Sequence, residues 1–186
     1  MKKIVSLSLP IALALSMLVA SPAYAFSSGS SSLSSGLENP ATKPGSRQNP
    51  LPIGSTIKDG DWKVRVNSVN LDANAEVAAG NMFNPPAPEG YSYVLVNVTV
   101  QYNGKNPQGD TPLWLTFDYV TADGISFDDY NVGAVIPNEL DKFSTLYEGA
   151  TVTGNVGFRV PVADIDQGTL AISANLFSDN VFVSVK

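Results

Sequence analysis

The feature that most constrains the fold is a strict alternation of residue types from Tyr91 to Tyr102. Every second residue from Val94 to Tyr102 is apolar, so these side chains lie on one face of an extended chain. The density of β-branched residues disfavours a helix and indicates a β-strand with one face in a core. The opposite face carries Tyr93, Leu95, Asn97, Thr99 and Gln101.

The same period of two recurs along the rest of the chain, between turn signals such as Asp59-Gly60 and Asp123-Gly124. No long segment has a helical period, and only residues 138–142 suggest one helical turn. We therefore predict an all-β, antiparallel β-sandwich of seven to eight strands, with a closed barrel as the alternative. The further alternating segments are 62–66, 113–119, 152–160, 170–177 and 181–185.

The first 25 residues have the features of a cleaved secretory signal peptide. Two lysines at the amino end precede an apolar run. Ala23-Tyr24-Ala25 then places small residues where signal peptidase requires them, before Phe26. The alternative is a membrane anchor, for which the apolar run is short. We expect a secreted, extracellular protein that is released or held loosely at the cell surface, with no membrane insertion after cleavage.

Three ranges of different composition divide the chain into domains. Residues 1–25 are the predicted signal peptide. Residues 26–49 are rich in Ser, Gly and Pro, and such a segment buries too little apolar surface to fold, so we predict a flexible linker. Residues 50–186 contain the alternating segments and form the predicted sandwich domain.

Composition removes several classes of function. The chain has no Cys and no His, so it has no disulfide, no lipid-modified cysteine, no imidazole metal ligand and no Ser-His-Asp triad. Its net charge of −6 opposes binding to nucleic acid phosphates. We expect no cofactor and no resident metal.

Three stretches together resemble a known family. They are residues 52–64, containing Gly60-Asp61-Trp62, then 90–100, and then 148–161. They resemble a widespread family of secreted bacterial domains of unknown function, described as telokin-like or immunoglobulin-like. The architecture is also similar to that of the immunoprotective extracellular antigens of actinobacteria. The resemblance covers about residues 50–186.

This resemblance implies an immunoglobulin-like sandwich, export and no established catalytic activity. It supplies no motif whose chemistry transfers to this chain. Many relatives carry a lipid-modified cysteine after the leader, and this chain has none. Lipid anchoring is therefore not implied here.

A candidate binding surface follows from the strand phases. If the valines of 94–100 face the core, Tyr93 and Leu95 face outward, and Trp114 does the same on the 113–119 strand. An exposed patch of Tyr93, Leu95 and Trp114 is typical of a binding site, and aromatic rings also stack on sugars. The alternative is that a loop, the linker or a second subunit covers this face.

Asp118, Asp123, Asp128 and Asp129 cluster around one predicted hairpin. Such carboxylates can hold Ca²⁺ or form a glycosidase pair, but no calcium-loop spacing is present and Asp is common in turns. We therefore predict a non-enzymatic binding or interaction protein whose partner is a protein or a cell-envelope component. The alternatives are a structural or accessory envelope subunit and, less favoured, a carboxylate-based hydrolase.

Overall fold

The computed structural model describes residues 42–175 and 178–186. The predicted signal peptide and residues 26–41 of the predicted linker lie outside the described residues. No helix in the described ranges is long and apolar enough to cross a membrane. The elements are β1 (Thr56–Asp59), β2 (Trp62–Asn70), α1 (Asn74–Gly80), β3 (Tyr91–Tyr102), a 3-10 turn (Pro112–Trp114), β4 (Thr116–Val120), β5 (Ser126–Asp128), β6 (Thr151–Pro161), a 3-10 turn (Ile165–Gln167), β7 (Thr169–Ser173) and β8 (Val181–Ser184).

The strands form two four-stranded sheets, which confirms the predicted β-sandwich. One sheet has the order β1-β2-β3-β6 and the other the order β5-β4-β7-β8. Every pairing between neighbouring strands is antiparallel. Eight strands lie within the predicted seven to eight, and their division into two separate sheets excludes the barrel alternative.

The core lies between the two sheets, and the valines of β3 form its centre. Val94, Val96, Val98 and Val100 are all fully buried, as their alternation predicts. Each such side chain stabilises the fold by about 1.5–3 kcal/mol relative to an exposed position. From the second sheet they meet Phe117, Tyr119, Leu170, Ile172 and Val183.

The outer face of β3 is covered at its amino-terminal half, so the predicted exposure of two residues is wrong. Tyr93 is only 1% exposed and Leu95 only 3%. They form a second apolar cluster with Val77 of α1 and with Val132 and Ile136 from a later loop. Tyr93 and Leu95 therefore lie on the outer face of the sheet, but α1 and the later loop shield them from water.

The other half of this outer face is polar and open. The Nδ2 atom of Asn67 donates to Asn97 and Thr99 at 2.9 Å, and Asn97 donates to Asn155 at 2.8 Å. Asn67 lies at a β-bulge, where the pairing of β2 with β3 shifts by one residue between Val66 and Ser68. The amide side chains therefore form a ladder across three strands.

The segment from Thr42 to Leu51 packs on the second sheet, although the sequence placed residues 42–49 in the linker. The N–H of Phe182 in β8 donates to Gly45, and the N–H of Ser184 donates to Leu51, each at 2.8 Å. The guanidinium of Arg47 donates to the carbonyls of Thr121 and Ala122. These bonds cover the edge of β8, which would otherwise present unpaired backbone groups.

Two further expectations from the sequence differ from the structure. The segment 113–119 is not one strand, because Pro112 begins a 3-10 turn that ends at Trp114, and β4 starts at Thr116. The expected helical turn at 138–142 is absent from this described segment. Asn138 has a left-handed φ of 50°, and Glu139 forms a bridge to Asn155 of β6.

Candidate functional site

Two tight turns with the same construction lie together beside the edge of β6. In the first turn, the carboxylate of Asp128 accepts the N–H of Tyr130 at 3.0 Å. In the second, the carboxylate of Asp141 accepts the N–H of Phe143 at 2.8 Å. These are Asx turns, in which an Asp side chain holds the backbone two residues ahead. Each turn thereby fixes the backbone of an aromatic residue.

The middle residues of the two turns form an ion pair. The Nζ atom of Lys142 lies 2.5 Å from Oδ2 of Asp129, and both side chains are buried. Nζ also lies 5.1 Å from the centroid of the Phe117 ring and 4.9 Å from that of Tyr130. Because a buried charge is costly without a partner, the pair holds the two turns in one arrangement.

The second turn is also attached to the first sheet. The segment that precedes it lies along the edge of β6, where the N–H of Leu140 donates to the carbonyl of Asn155 at 2.8 Å. The side chain of Asn155 in turn donates to the carbonyl of Pro137 at 2.7 Å. These bonds fix the position of Asp141 relative to the sheet.

A pocket of about 390 Å³ lies between the turns, and we call it the aromatic pocket. Asp129 and Lys142 lie in its lining, together with Leu113 and Val156. Tyr130 and Phe143, which also line it, are 67% and 79% exposed. Large aromatic side chains that stay exposed on an ordered backbone are typical of a recognition surface.

The carboxyl groups around the pocket differ in their electrostatics. Burial raises the pKa of Asp129, and the hydrogen bond and charge of Lys142 oppose this rise. Its Oδ1 atom has no hydrogen-bond partner among the described residues. Hydrogen bonds from Ser144 and Phe143 lower the pKa of Asp141, so this exposed carboxylate stays charged and able to accept hydrogen bonds.

A family model for a domain of unknown function, DUF4352, matches residues 51–182. The chain belongs to this family. The DUF4352 match includes β1 to β7 and both turns that carry the aromatic residues. No curated protein matches the chain.

Solved structures similar to this DUF4352 protein include three bacterial proteins. A β-sandwich protein from Clostridium difficile 630 is 14% identical, with 74% of this chain and 95% of that chain covered and a TM-score of 0.47. MPT63, a secreted protein from Mycobacterium tuberculosis, is 17% identical, with coverages of 73% and 97% and a TM-score of 0.48. The yjhA protein from Bacillus subtilis is 17% identical, with coverages of 73% and 99% and a TM-score of 0.47.

The three residues of the predicted patch do not lie on one exposed surface of the DUF4352 domain. Tyr93 and Leu95 are buried beneath α1 and the 132–136 loop. Trp114 is 57% exposed, as predicted, and it follows Leu113 of the aromatic pocket in the same 3-10 turn. Trp114 is therefore the one member of the patch that stays exposed, and it does not itself line the aromatic pocket.

The acidic side chains of the predicted hairpin make separate contacts and do not form one cluster. Asp118 and Asp128 are paired across β4 and β5, whereas Asp129 bonds to Lys142. In the part of the chain that the structure describes, no three acidic side chains converge as metal ligands. Sequence reasoning missed Tyr130 and Phe143, although an aromatic residue two positions after an Asp was a usable signal.

Proposed function

We propose that this protein is an exported, non-catalytic binding protein that recognises a cell-envelope glycan through the aromatic pocket. The observation that carries the proposal is that two exposed aromatic residues, Tyr130 and Phe143, line one pocket together with the Asp129–Lys142 ion pair. Sugar rings stack on such aromatic faces, and their hydroxyl groups donate to carboxylates. Asp141 beside Phe143 is a charged acceptor for such hydroxyl groups.

The sequence supports the export that this function requires. The predicted signal peptide at 1–25 directs the chain out of the cytoplasm, and its removal leaves Phe26 at the amino end. The protein then meets envelope material directly. The test is amino-terminal sequencing of the protein recovered from culture medium, for which we expect a start at Phe26.

We propose no chemical step at the pocket. Asp129 is the carboxyl group there whose pKa burial raises, and the hydrogen bond and positive charge of Lys142 favour its charged form, which opposes a role as a proton donor. Incubation of the protein with envelope glycan should therefore release no reducing sugar. Released sugar that disappears in an Asp129→Asn variant would support the hydrolase alternative instead.

The binding test is co-sedimentation of the exported protein with purified cell-wall material. We expect the native protein to sediment, and Tyr130→Ala, Phe143→Ala and Trp114→Ala each to reduce the bound fraction. Loss of one stacking aromatic residue costs about 1–3 kcal/mol, which is roughly a fivefold to hundredfold weaker affinity.

The matched control is Phe83→Ala, because Phe83 is as exposed as Phe143 and does not line the aromatic pocket. This variant should sediment like the native protein. Equal loss in all four variants would show non-specific adhesion. Absence of native binding, together with a stable complex with one protein of the same cells, would instead identify an accessory subunit.

A further inference from the structure

A second pocket, of about 520 Å³, lies where β5 approaches β6 and contains the guanidinium group of an arginine. We call it the arginine pocket, after Arg159 of β6. Arg159 is partly buried. Among residues 42–175 and 178–186 it forms no salt bridge and donates no hydrogen bond. A guanidinium group carries five N–H donors, so the donors of Arg159 are available to a ligand in this pocket.

The surroundings explain why Arg159 stays unpaired although an acidic residue lines the same pocket. Both carboxylate oxygens of Asp128 accept hydrogen bonds from Asn131, at 2.8 and 2.9 Å. Asp128 also accepts the backbone N–H groups of Tyr130 and Asn131. These bonds hold the Asp128 carboxylate against its own turn, and it forms no salt bridge with Arg159.

The other two arginines of the chain do not share this combination of partial burial and a missing partner. Arg47 donates to two backbone carbonyls, and Arg65 is exposed to solvent, where water satisfies it. Arg159 alone combines partial burial, a pocket and an absence of described acceptors. The chain has a net charge of −6, so acidic groups outnumber basic ones, and yet none of the described acidic groups pairs with Arg159.

The other walls fit a small group with one charged end. Phe127 and Pro88 give apolar contact, and Tyr91 contributes a phenol that can donate a hydrogen bond. The backbone of Gly133 passes so close that an added Cβ would lie 3.1 Å from Nη1 of Arg159. The guanidinium fork matches two oxygens of a carboxylate or a phosphate.

We infer that the arginine pocket is a binding site for an oxyanion group, either a sugar carboxylate or a phosphate ester carried by an envelope polymer. The site is separate from the aromatic pocket, because their lining residues are different. The inference therefore stands or fails independently of the proposed glycan binding.

The test is calorimetric titration of the exported protein with two anions and their neutral analogues. D-glucuronate represents a carboxylate and is matched by D-glucose, whereas glycerol 3-phosphate represents a phosphate ester and is matched by glycerol. We expect at least one anion to bind and neither neutral compound to do so. Binding of only one anion identifies which source of the oxyanion the pocket takes.

Two arginine variants distinguish binding in the arginine pocket from non-specific attraction of anions by positive charge. Arg159→Gln should weaken anion binding about tenfold or more, because the bidentate charged bonds are lost. Arg65→Gln removes the same charge from an exposed position and should bind like the native protein. Equal binding by native protein and Arg159→Gln would overturn the inference, as would no heat from either anion up to about 50 mM, where a millimolar site is saturated.

A third variant protects the test against misfolding of Arg159→Gln. Gly133→Asp places a carboxylate beside Nη1 of Arg159, and Asp is among the residues that tolerate the positive φ found there. This internal carboxylate should occupy the site and abolish anion binding. Undiminished binding in a folded Gly133→Asp protein would contradict the assignment.

Discussion

The Asp129–Lys142 pair holds two opposite charges on side chains that are only 9% and 10% exposed, and each charge stabilises the other. Lys142→Met leaves the carboxylate of Asp129 buried without its counter-charge. We expect this variant to lose about 3–5 kcal/mol of unfolding free energy. Urea unfolding followed by tryptophan fluorescence measures the loss.

The matched control for Lys142 is Lys105, whose ion pair with Glu148 lies on the surface. Lys105→Met should change the unfolding free energy by less than about 1 kcal/mol. Replacing both Lys142 and Asp129 by apolar residues should recover most of the loss. If Lys142→Met alone were neutral, the ion pair would not be what orders the two turns.

A second residue prediction concerns pH. Burial raises the pKa of Asp118, and the nearby Asp129 and Asp128 raise it further, against a hydrogen bond with Ser126. The folded state thus holds this proton to a higher pH than the unfolded chain does. The associated stability is present below the unfolded pKa and is lost as the pH rises through the folded pKa.

The Asp118→Asn variant has no carboxyl group to ionise at this position, so it does not lose that stability. Its unfolding free energy relative to that of the native protein should therefore increase as the pH rises from 3 to 7. Asp141→Asn should show the opposite trend. Hydrogen bonds lower the pKa of Asp141, so its contribution is present above the unfolded pKa and is lost as the pH falls through the folded pKa. Urea unfolding of both variants at several pH values checks the signs, and parallel slopes would refute them.

At the scale of elements, the close approach of β6 to the 137–140 segment requires a glycine. A Cβ on Gly154 would lie 2.5 Å from Cα of Leu140 and 2.7 Å from its N atom. Backbone atoms cannot move aside as a flexible side chain does. Gly154→Ala should therefore cost about 1–3 kcal/mol or more, measured by urea unfolding.

The position of the second turn depends on this approach, so Gly154→Ala should also weaken binding to wall material. Gly60→Ala is the control. Its φ of 55° is strained for alanine, but nothing lies within 4 Å of the added Cβ, and Gly60 lies outside the aromatic pocket. This variant should lose some stability and keep its binding. Loss of binding in both variants would show that strain alone disturbs the pocket.

Strands were the elements that the sequence predicted well, because alternation is a local property. The valines of β3 needed no information from elsewhere to be assigned to a core. Helix α1 was missed because it has only seven residues and one buried side chain, Val77, so it has no visible period. Tyr93 and Leu95 were misplaced because part of their cover, Val132 and Ile136, follows about forty residues later.

The candidate site was harder to predict than the fold, since it depends on pairing between distant turns. Nothing local indicates that Asp129 meets Lys142, which follows 13 residues later. Tyr130 and Phe143 become neighbours of one pocket only after that contact forms. The exposure of Trp114 was predicted correctly, because the exposure of a single residue depends on less information than the assembly of a site.

At the scale of the whole molecule, the sandwich includes chain that precedes the alternating region. Residues 51–186 lack the bonds of Gly45 and Arg47 and should lose about 1–3 kcal/mol relative to residues 42–186, at roughly 2–4 °C of melting temperature per kcal/mol. Thermal unfolding by circular dichroism measures both, and equal melting temperatures would show that 42–50 contributes nothing.

Because the outer face of β3 is covered at one half only, its two halves differ in how freely their residues can be replaced in protein design. Near Tyr93 the strand lies between the second sheet and the cover formed by α1 and the 132–136 loop, so the side chains on both of its faces are buried. Beyond Asn97 the same strand has one layer beneath it and water above. Thr99 and Gln101 on that open half can thus be replaced to build a new recognition surface while the valines below keep the core intact, whereas Asn155 must stay because it bonds to Pro137.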